Sequence, residues 1–299
     1  MAATTKNLED RNIVEKALDR GRYEMNKVRE RSRGLRSRLQ RPRPYPYILE
    51  DVYGIRFIYY PWDTVPIKQS ISRSFYDDEF GAIRKLVKKD DVIIDLGANV
   101  GIHAAFMSKL VGEKGKVFSF EPVPATFDQL QETMVLNRIK NTQTYMQAAG
   151  DTEKLIPMSI FPEQFSAWNT FGKPEFEGVE PVGTIKVPTV TMDRFCGRAK
   201  ITHINFLKID VEGFELQALR GSKDLLEKGA VDYISFEISQ VPLKGAGASA
   251  TDVFKILEKY GYKSYRYDKK ADKFTGPYSD SAEFYENYYA SQRDLTKLK

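Results

Sequence analysis

The sequence predicts an open, mostly parallel α/β sheet with helices on both faces, preceded by a charged helical extension. Three observations carry that expectation. From residue 90 onward, short runs rich in β-branched and aromatic residues alternate with helix-like segments. The first of these runs, "DVIIDLG", passes into the small-residue turn Gly97, Asn99, Gly101 and then into the helical pattern "IHAAFMSKL". The 299 residues are 41% hydrophobic, enough for a substantial core.

Residues 7 to 40 read as a charged helix, with Val14, Leu18, Met25, Val28, Leu35 and Leu39 on the a and d positions of one seven-residue frame. Gly21 and Ser32 interrupt it. The pattern fits either a solvated basic helix or a short coiled coil through which two copies associate. "RPRPYPY" then ends the helix, because alternating prolines cannot continue it. Residues 1–44 carry 13 Lys/Arg against 6 Asp/Glu, or +7, which leaves −2 for residues 45–299. A near-neutral body argues against a protein that tracks a nucleic-acid backbone through its main domain.

Residues 47 to 60 read as a β-hairpin and residues 77 to 88 as an amphipathic helix. The expected organisation is thus a basic helical extension over 1–44, a cap segment over 45–89, and one α/β domain over 90–299. Within that domain the strands are "DVIIDLG", "GKVFSFEP", "TQTYMQAAG", "INFLKID", "VDYISFE" and "YKSYRYD". Helices fill 101–111, 124–137, 214–220 and 249–260. Between the third and fourth strands, "KLIPMSIF" and "TIKVPTV" pair around an aromatic insertion containing Phe161, Phe165, Trp168, Phe171 and Phe176. Aromatic faces among polar groups suit a sugar ring or a polyketide, and equally a hydrophobic plug.

No apolar run approaches the ~20 residues a membrane-spanning helix needs, and the N-terminus lacks a secretory core. A cytoplasmic protein is expected. A single cysteine, Cys196, excludes an internal disulfide framework, and two histidines, His103 and His203, leave little histidine chemistry.

A strand-to-helix turn built from small residues lets a ligand approach the backbone, and the following helix offers free N–H groups. The dinucleotide fingerprint would need glycine at Asn99 and Ile102, so a hydride-transfer cofactor is disfavoured. Glu121 ends the second strand in "SFEP", where a carboxylate accepts from both ribose hydroxyls of an adenosine. Asp151, in "AAGD" after the third strand, is placed to meet the exocyclic amine of adenine or to be an ordinary turn aspartate. Asp210 ends the fourth strand, beside the first and therefore at the switch point where such sheets bind ligands. Lys208, two residues earlier, faces the same side as an ion-pair partner or a base. Glu237 ends the fifth strand one position over, and Asp210 with Glu237 would suit Mg²⁺. Glu212 and Glu215, just beyond Asp210, read as helix-start acids, with Glu212 open to the alternative of reaching the site.

"IIDLGANVGIH", "FEPVP", "AAGD", "VPTVTMDRF", "FLKIDVEGFELQALRG" and "ISFEIS" together resemble the FkbM family of S-adenosylmethionine-dependent O-methyltransferases, from about Ser70 to Tyr267. The resemblance implies a class I methyltransferase sheet of strand order 3-2-1-4-5-7-6 with the last strand antiparallel. It implies that Asp95, Gly97, Ala98, Asn99 and Gly101 hold the methionine part of S-adenosylmethionine, that Glu121 binds its ribose, and that Asp151 lies near its adenine. Tyr76 and Glu79, in "SRSFYDDEF", resemble the segment that covers the cofactor. The acceptor it favours is a hydroxyl on a glycan, glycolipid or secondary metabolite. RNA ribose, and a catalytically weak scaffold in glycan synthesis, stay open as alternatives.

Overall fold

In the computed structural model, the described residues are 46–51, 53–60, 73–162, 165, 168–172 and 179–298. The helical extension over 1–44, its coiled-coil frame and Phe176 lie outside them.

A hairpin of β1 (Tyr47–Glu50) and β2 (Arg56–Tyr59) opens the described chain, in the register Tyr47 opposite Tyr59. Helix α1 (Arg73–Leu86) follows, starting four residues before the sequence pattern placed it. The main sheet then builds up through β3 (Val92–Leu96), α2 (Ile102–Val111), β4 (Lys116–Phe120), α3 (Pro124–Leu136) and β5 (Thr142–Tyr145). It resumes with β9 (Ile204–Ile209), α5 (Glu215–Arg220), α6 (Lys223–Glu227), β10 (Val231–Ser239), α7 (Gln240–Gly245) and α8 (Ala250–Lys259). The antiparallel strands β11 (Lys263–Asp268), β12 (Lys273–Tyr278) and β13 (Tyr285–Ser291) complete it. Across the sheet the order is β5-β4-β3-β9-β10-β13-β11-β12. The first five of these are parallel, and β13 runs antiparallel to β10.

The sheet therefore has eight strands rather than the seven expected. The extra one, β12, arises because "KKADK" turns β11 back on itself and the chain pairs again from Lys273, giving the edge a hairpin. The run expected as one third strand, residues 142–150, divides. β5 stays in the main sheet, whereas β6 (Ala148–Ala149) pairs in parallel with β8 (Gly183–Val190), which also pairs antiparallel with β7 (Leu155–Ile160). Helix α4 (Met192–Ala199) went unread within "VTMDRF", although Thr191 caps it by accepting from the Arg194 N–H at 3.3 Å.

Period-2 alternation sends Ile94, Leu96, Leu207, Ile209, Ile234 and Phe236 to one face of the sheet, where they pack with Phe254 and Leu257 of α8. Ile93, Val117 and Phe206 point to the other face, against Phe80 and Ile83 of α1 and Ala105 of α2. Each fully buried Leu, Ile, Val or Phe among these contributes about 1.5–3 kcal/mol of hydrophobic stabilisation. Asp95, Lys208 and Glu237 alternate onto this second face too. That is how a polar seam comes to run under α1 at the carboxyl ends of the strands. No helix among the described residues is long and apolar enough to cross a membrane.

Candidate active site

The turn after β3 is fixed by a close approach of backbones. Gly97 has φ +79, and a Cβ there would lie 1.7 Å from the carbonyl oxygen of Asp210, so only glycine lets the ends of β3 and β9 meet. The Gly97 and Ala98 N–H groups both donate to the Phe120 carbonyl at 2.9 Å. Asn99 takes φ +49, its N–H donates to Glu121 Oε2 at 3.1 Å, and its side chain accepts from the Val100 N–H at 2.7 Å. Glu121 Oε1 accepts from the Val123 N–H at 3.0 Å. Burial pushes this carboxyl up to about 7 against the pull of those two backbone bonds.

Gly97, Asn99 and Glu121 line one side of a cleft with about 620 Å³ of empty space, its open mouth included. Phe120, Val123, Ala148, Met158 and Phe171 give it apolar walls, and Asp210 and Glu212 close it at the strand ends. Ala98 and Gly101 shape the turn without lining the cleft; a Cβ on Gly101 would meet Leu130 at 2.6 Å. Asp95 is fully buried beneath, with no hydrogen bond to either carboxylate oxygen among the described residues, and burial raises its pKa.

Asp151 falls elsewhere. It is exposed, accepts among the described residues only from the neighbouring Thr152 hydroxyl at 3.3 Å, and does not line the cleft. The third strand divides: β6 pairs with β8, and Gln147, just before β6, lines the cleft. Glu79 sits on α1 against His103, and its other oxygen accepts from Asn287 Nδ2 at 2.6 Å. Burial alone would raise this carboxyl, but His103, Lys208 and Asn287 together hold it below its ordinary value. Tyr76 lies on α1, and its side chain is outside the described set.

At the switch point, Lys208 Nζ is 2.7 Å from Asp210 Oδ2 and 3.9 Å from Asp95 Oδ1. Burial opposes its charge, yet Asp210, Asp95 and Glu79 outweigh that and raise its pKa, so the ammonium stays charged. Glu237 is 5% exposed; burial and the charges of Asp210 and Glu212 keep its pKa well above the usual carboxylate range. Carboxylate oxygens of Asp210, Glu212 and Glu237 all lie within 4.8 Å of one another. Hard oxygen groups at this spacing are the kind that hold a divalent cation.

For Glu212 the structure takes the lesser of the two sequence readings, reaching the site rather than serving as a helix-start acid. Residues 211–214 do not run straight into α5: Glu212 adopts φ +51 and Gly213 φ +97, where a Cβ would lie 2.4 Å from the Pro242 backbone. The turn folds Glu212 back toward the strand end, and the Thr170 hydroxyl donates to its carbonyl. Glu215 does serve the turn, its Oε1 accepting from the Val211 and Gly213 N–H groups at 3.2 Å each. Sequence reading also missed Tyr285 and Asn287, because strand β13 was not located. Of the aromatic insertion, Phe161 and Phe171 are core side chains, whereas Phe165 and Trp168 stack on each other at 4.6 Å and stay half-buried.

The glycine turn after the first strand of the doubly wound sheet, the acid ending its second, and the cleft meet at the switch point. Comparison with known proteins narrows this. The chain belongs to the FkbM methyltransferase family, whose domain model (Methyltransferase FkbM domain) matches residues 95–264. It is similar to "Hexuronic acid methyltransferase AglP" of Haloferax volcanii, 31% identical over 170 residues that cover 57% of this chain and 62% of that protein. It is also similar to "2-O-methyltransferase NoeI" of Sinorhizobium fredii, 28% identical over 160 residues covering 50% and 65% respectively. A third relative is "Methyltransferase 1" of Beauveria bassiana, 24% identical over 149 residues covering 45% and 59%. The matched segment spans less than two thirds of each of these relatives.

Proposed function

We propose that this protein transfers a methyl group from S-adenosylmethionine to a hydroxyl oxygen of a sugar, in a glycan, glycolipid or secondary metabolite. The observation that carries the reading is one cleft joining the glycine turn and Glu121 to Asp210 and Glu212 at the switch point. Family membership supports methyl transfer, and relatives named for hexuronic acid and 2-O methylation support a sugar hydroxyl. When bound, the cofactor supplies a methyl carbon on a positively charged sulfur. The chain's own part is to hold donor and acceptor in line, exclude water and relieve the acceptor of its proton.

Each residue's role follows from its place. Glu121 accepts hydrogen bonds from the ribose diol, its oxygens already aimed by Asn99 and Val123. Gly97 and Asn99 leave room for the methionine portion, and Asp210 faces its amine or the reacting centre. Glu237, with Asp210, takes up the hydroxyl proton or holds a divalent cation that acidifies the hydroxyl, and Glu212 completes that set. Lys208 keeps its proton and orients Asp210, so it acts as a positioning residue rather than a base.

The test is a labelled-methyl transfer screen over sugar, lipid and RNA acceptors. Transfer to a sugar hydroxyl is the expected result; transfer to RNA alone, or cofactor binding without transfer to any acceptor, overturns it. Activity unchanged in excess chelator would reject the cation.

A further inference from the structure

The carboxylate cluster has two sides, and the cleft occupies one of them. Asp210 and Glu212 line the cleft, whereas Glu237, whose carboxylate lies within 4.8 Å of theirs, does not. In-line transfer needs the donor sulfur and the acceptor oxygen on opposite sides of the methyl carbon. A cofactor that fills the cleft therefore leaves the Glu237 side for the acceptor.

What stands on that side follows from strand register. β13 runs antiparallel to β10 without a break, with Asn287 opposite Glu237 and Tyr285 opposite Ser239. Residues two apart on a strand share a face. The Asn287 side chain identifies that face as the one under α1, because its Nδ2 donates to Glu79 at 2.6 Å. Tyr285 is thus on the face of Glu237, one step nearer the carboxyl end of β10. The strongest charges acting on its hydroxyl are those of Glu237, Glu79, Asp210 and Glu212. Yet the residue is 42% exposed, the one exposed aromatic among the described residues.

The ring is firmly mounted. The Gln240 N–H donates to the Phe284 carbonyl at 3.1 Å, and Gln240 Nε2 donates to the Ser281 and Glu283 carbonyls at 3.0 and 3.2 Å, which ties the segment before Tyr285 to the start of α7. The described rings of the aromatic insertion are committed otherwise: Phe161 and Phe171 are buried, and Phe165 and Trp168 stack on each other.

An exposed, fixed aromatic ring beside the reacting centre suits the apolar face of a pyranose. Its surroundings select against an anionic one, since the carboxyl groups of Asp95, Asp210, Glu212, Glu237 and Glu79 stand there against the cations of Lys208 and His103 alone among the described residues that this seam pairs. A uronic acid carboxylate or an RNA phosphate brought to this side meets charge of its own sign.

We propose that Tyr285 is the platform for the acceptor, stacking on an uncharged sugar ring whose hydroxyl is presented to Glu237 and Asp210. The inference rests on the methyl-transfer reading above and deepens it. It moves acceptor recognition from the aromatic insertion to the start of β13, and it sets a neutral sugar above a uronic acid.

Initial-rate kinetics of the full chain with S-adenosylmethionine test this on matched methyl glycosides of neutral hexoses, 6-deoxyhexoses and the corresponding hexuronic acids. The neutral members should have kcat/KM at least about tenfold above their uronic counterparts. Tyr285→Ala should raise the acceptor KM about tenfold while the affinity for S-adenosylhomocysteine, by calorimetry, stays within about twofold. Tyr285→Phe, which keeps the ring, should recover most of that loss. A uronic acid preferred over its neutral counterpart, or an acceptor KM that Tyr285→Ala leaves unmoved, overturns the inference while methyl transfer to a sugar stands. An equal loss of acceptor and cofactor affinity in Tyr285→Ala assigns the ring to folding and overturns it too. Transfer to none of the glycosides overturns both readings.

Discussion

Replacing Glu121 with Gln perturbs one buried carboxyl whose surroundings set both the size and the pH profile of the effect. Each of its two oxygens accepts from a backbone N–H, and glutamine keeps only one such oxygen, so the loss is the charge together with one acceptor. Losing one charge-assisted ribose bond and making the other neutral costs about 2–3 kcal/mol in all, or roughly 30- to 150-fold in cofactor affinity. The wild-type carboxyl sits at about 7 in the folded protein, because burial outweighs its backbone bonds, and must be ionised to accept fully from the diol. Wild-type affinity should therefore weaken about tenfold per pH unit below 7, with a proton released on binding, whereas Glu121→Gln is flat. The two proteins converge between about pH 5 and 6.

A second consequence appears without ligand. A carboxyl at about 7 folded against 4.5 unfolded contributes stability below pH 4.5 that is lost progressively up to pH 7, on the order of 3 kcal/mol in all. Glu121→Gln should lack that slope. Calorimetry in buffers of different ionisation enthalpy, with denaturant melts at each pH, measures both. Wild-type affinity constant from pH 5.5 to 8.5, or a variant that keeps the wild-type slope, would refute the reasoning.

Further substitutions probe the turn and the seam. Gly97→Ala should cost more than about 4 kcal/mol in a denaturant melt, because a Cβ would overlap the Asp210 carbonyl oxygen at 1.7 Å; a soluble, wild-type melt would contradict it. Lys208→Met removes the cation paired with Asp210 and near Asp95, and should destabilise by about 3–5 kcal/mol at neutral pH. That loss should shrink toward acid pH as the carboxylates protonate, so a pH-independent loss would indicate packing instead. Thr170→Val deletes the bond to the Glu212 carbonyl; turnover should fall about tenfold while cofactor affinity stays within about twofold, as single-turnover and binding measurements would show. Cys196 is buried and its thiol is pushed up to about 12, so thiol reagents should label it only under unfolding conditions.

The sequence by itself determined the strands and turns whose signals are local. "IIDLGANVG" specifies a buried strand and a backbone approach that only glycine permits, and the apolar run into Glu121 specifies the next strand and its acidic end. Asp210 and Glu237 were legible for the same reason, since each ends an apolar run and parallel order sets the two side by side. Tertiary structure decided what such local rules do not contain. β6 pairs with β8, and Gln147 rather than Asp151 lines the cleft. A left-handed residue followed by glycine, packed on Pro242, turned Glu212 from a helix-start acid into a member of the carboxylate cluster. Tyr285 and Asn287 reach the site from β13, the strand that pairs antiparallel with β10 from far along the chain. These placements depend on contacts between segments tens of residues apart, where sequence periodicity carries no signal about which partner a strand or turn will meet.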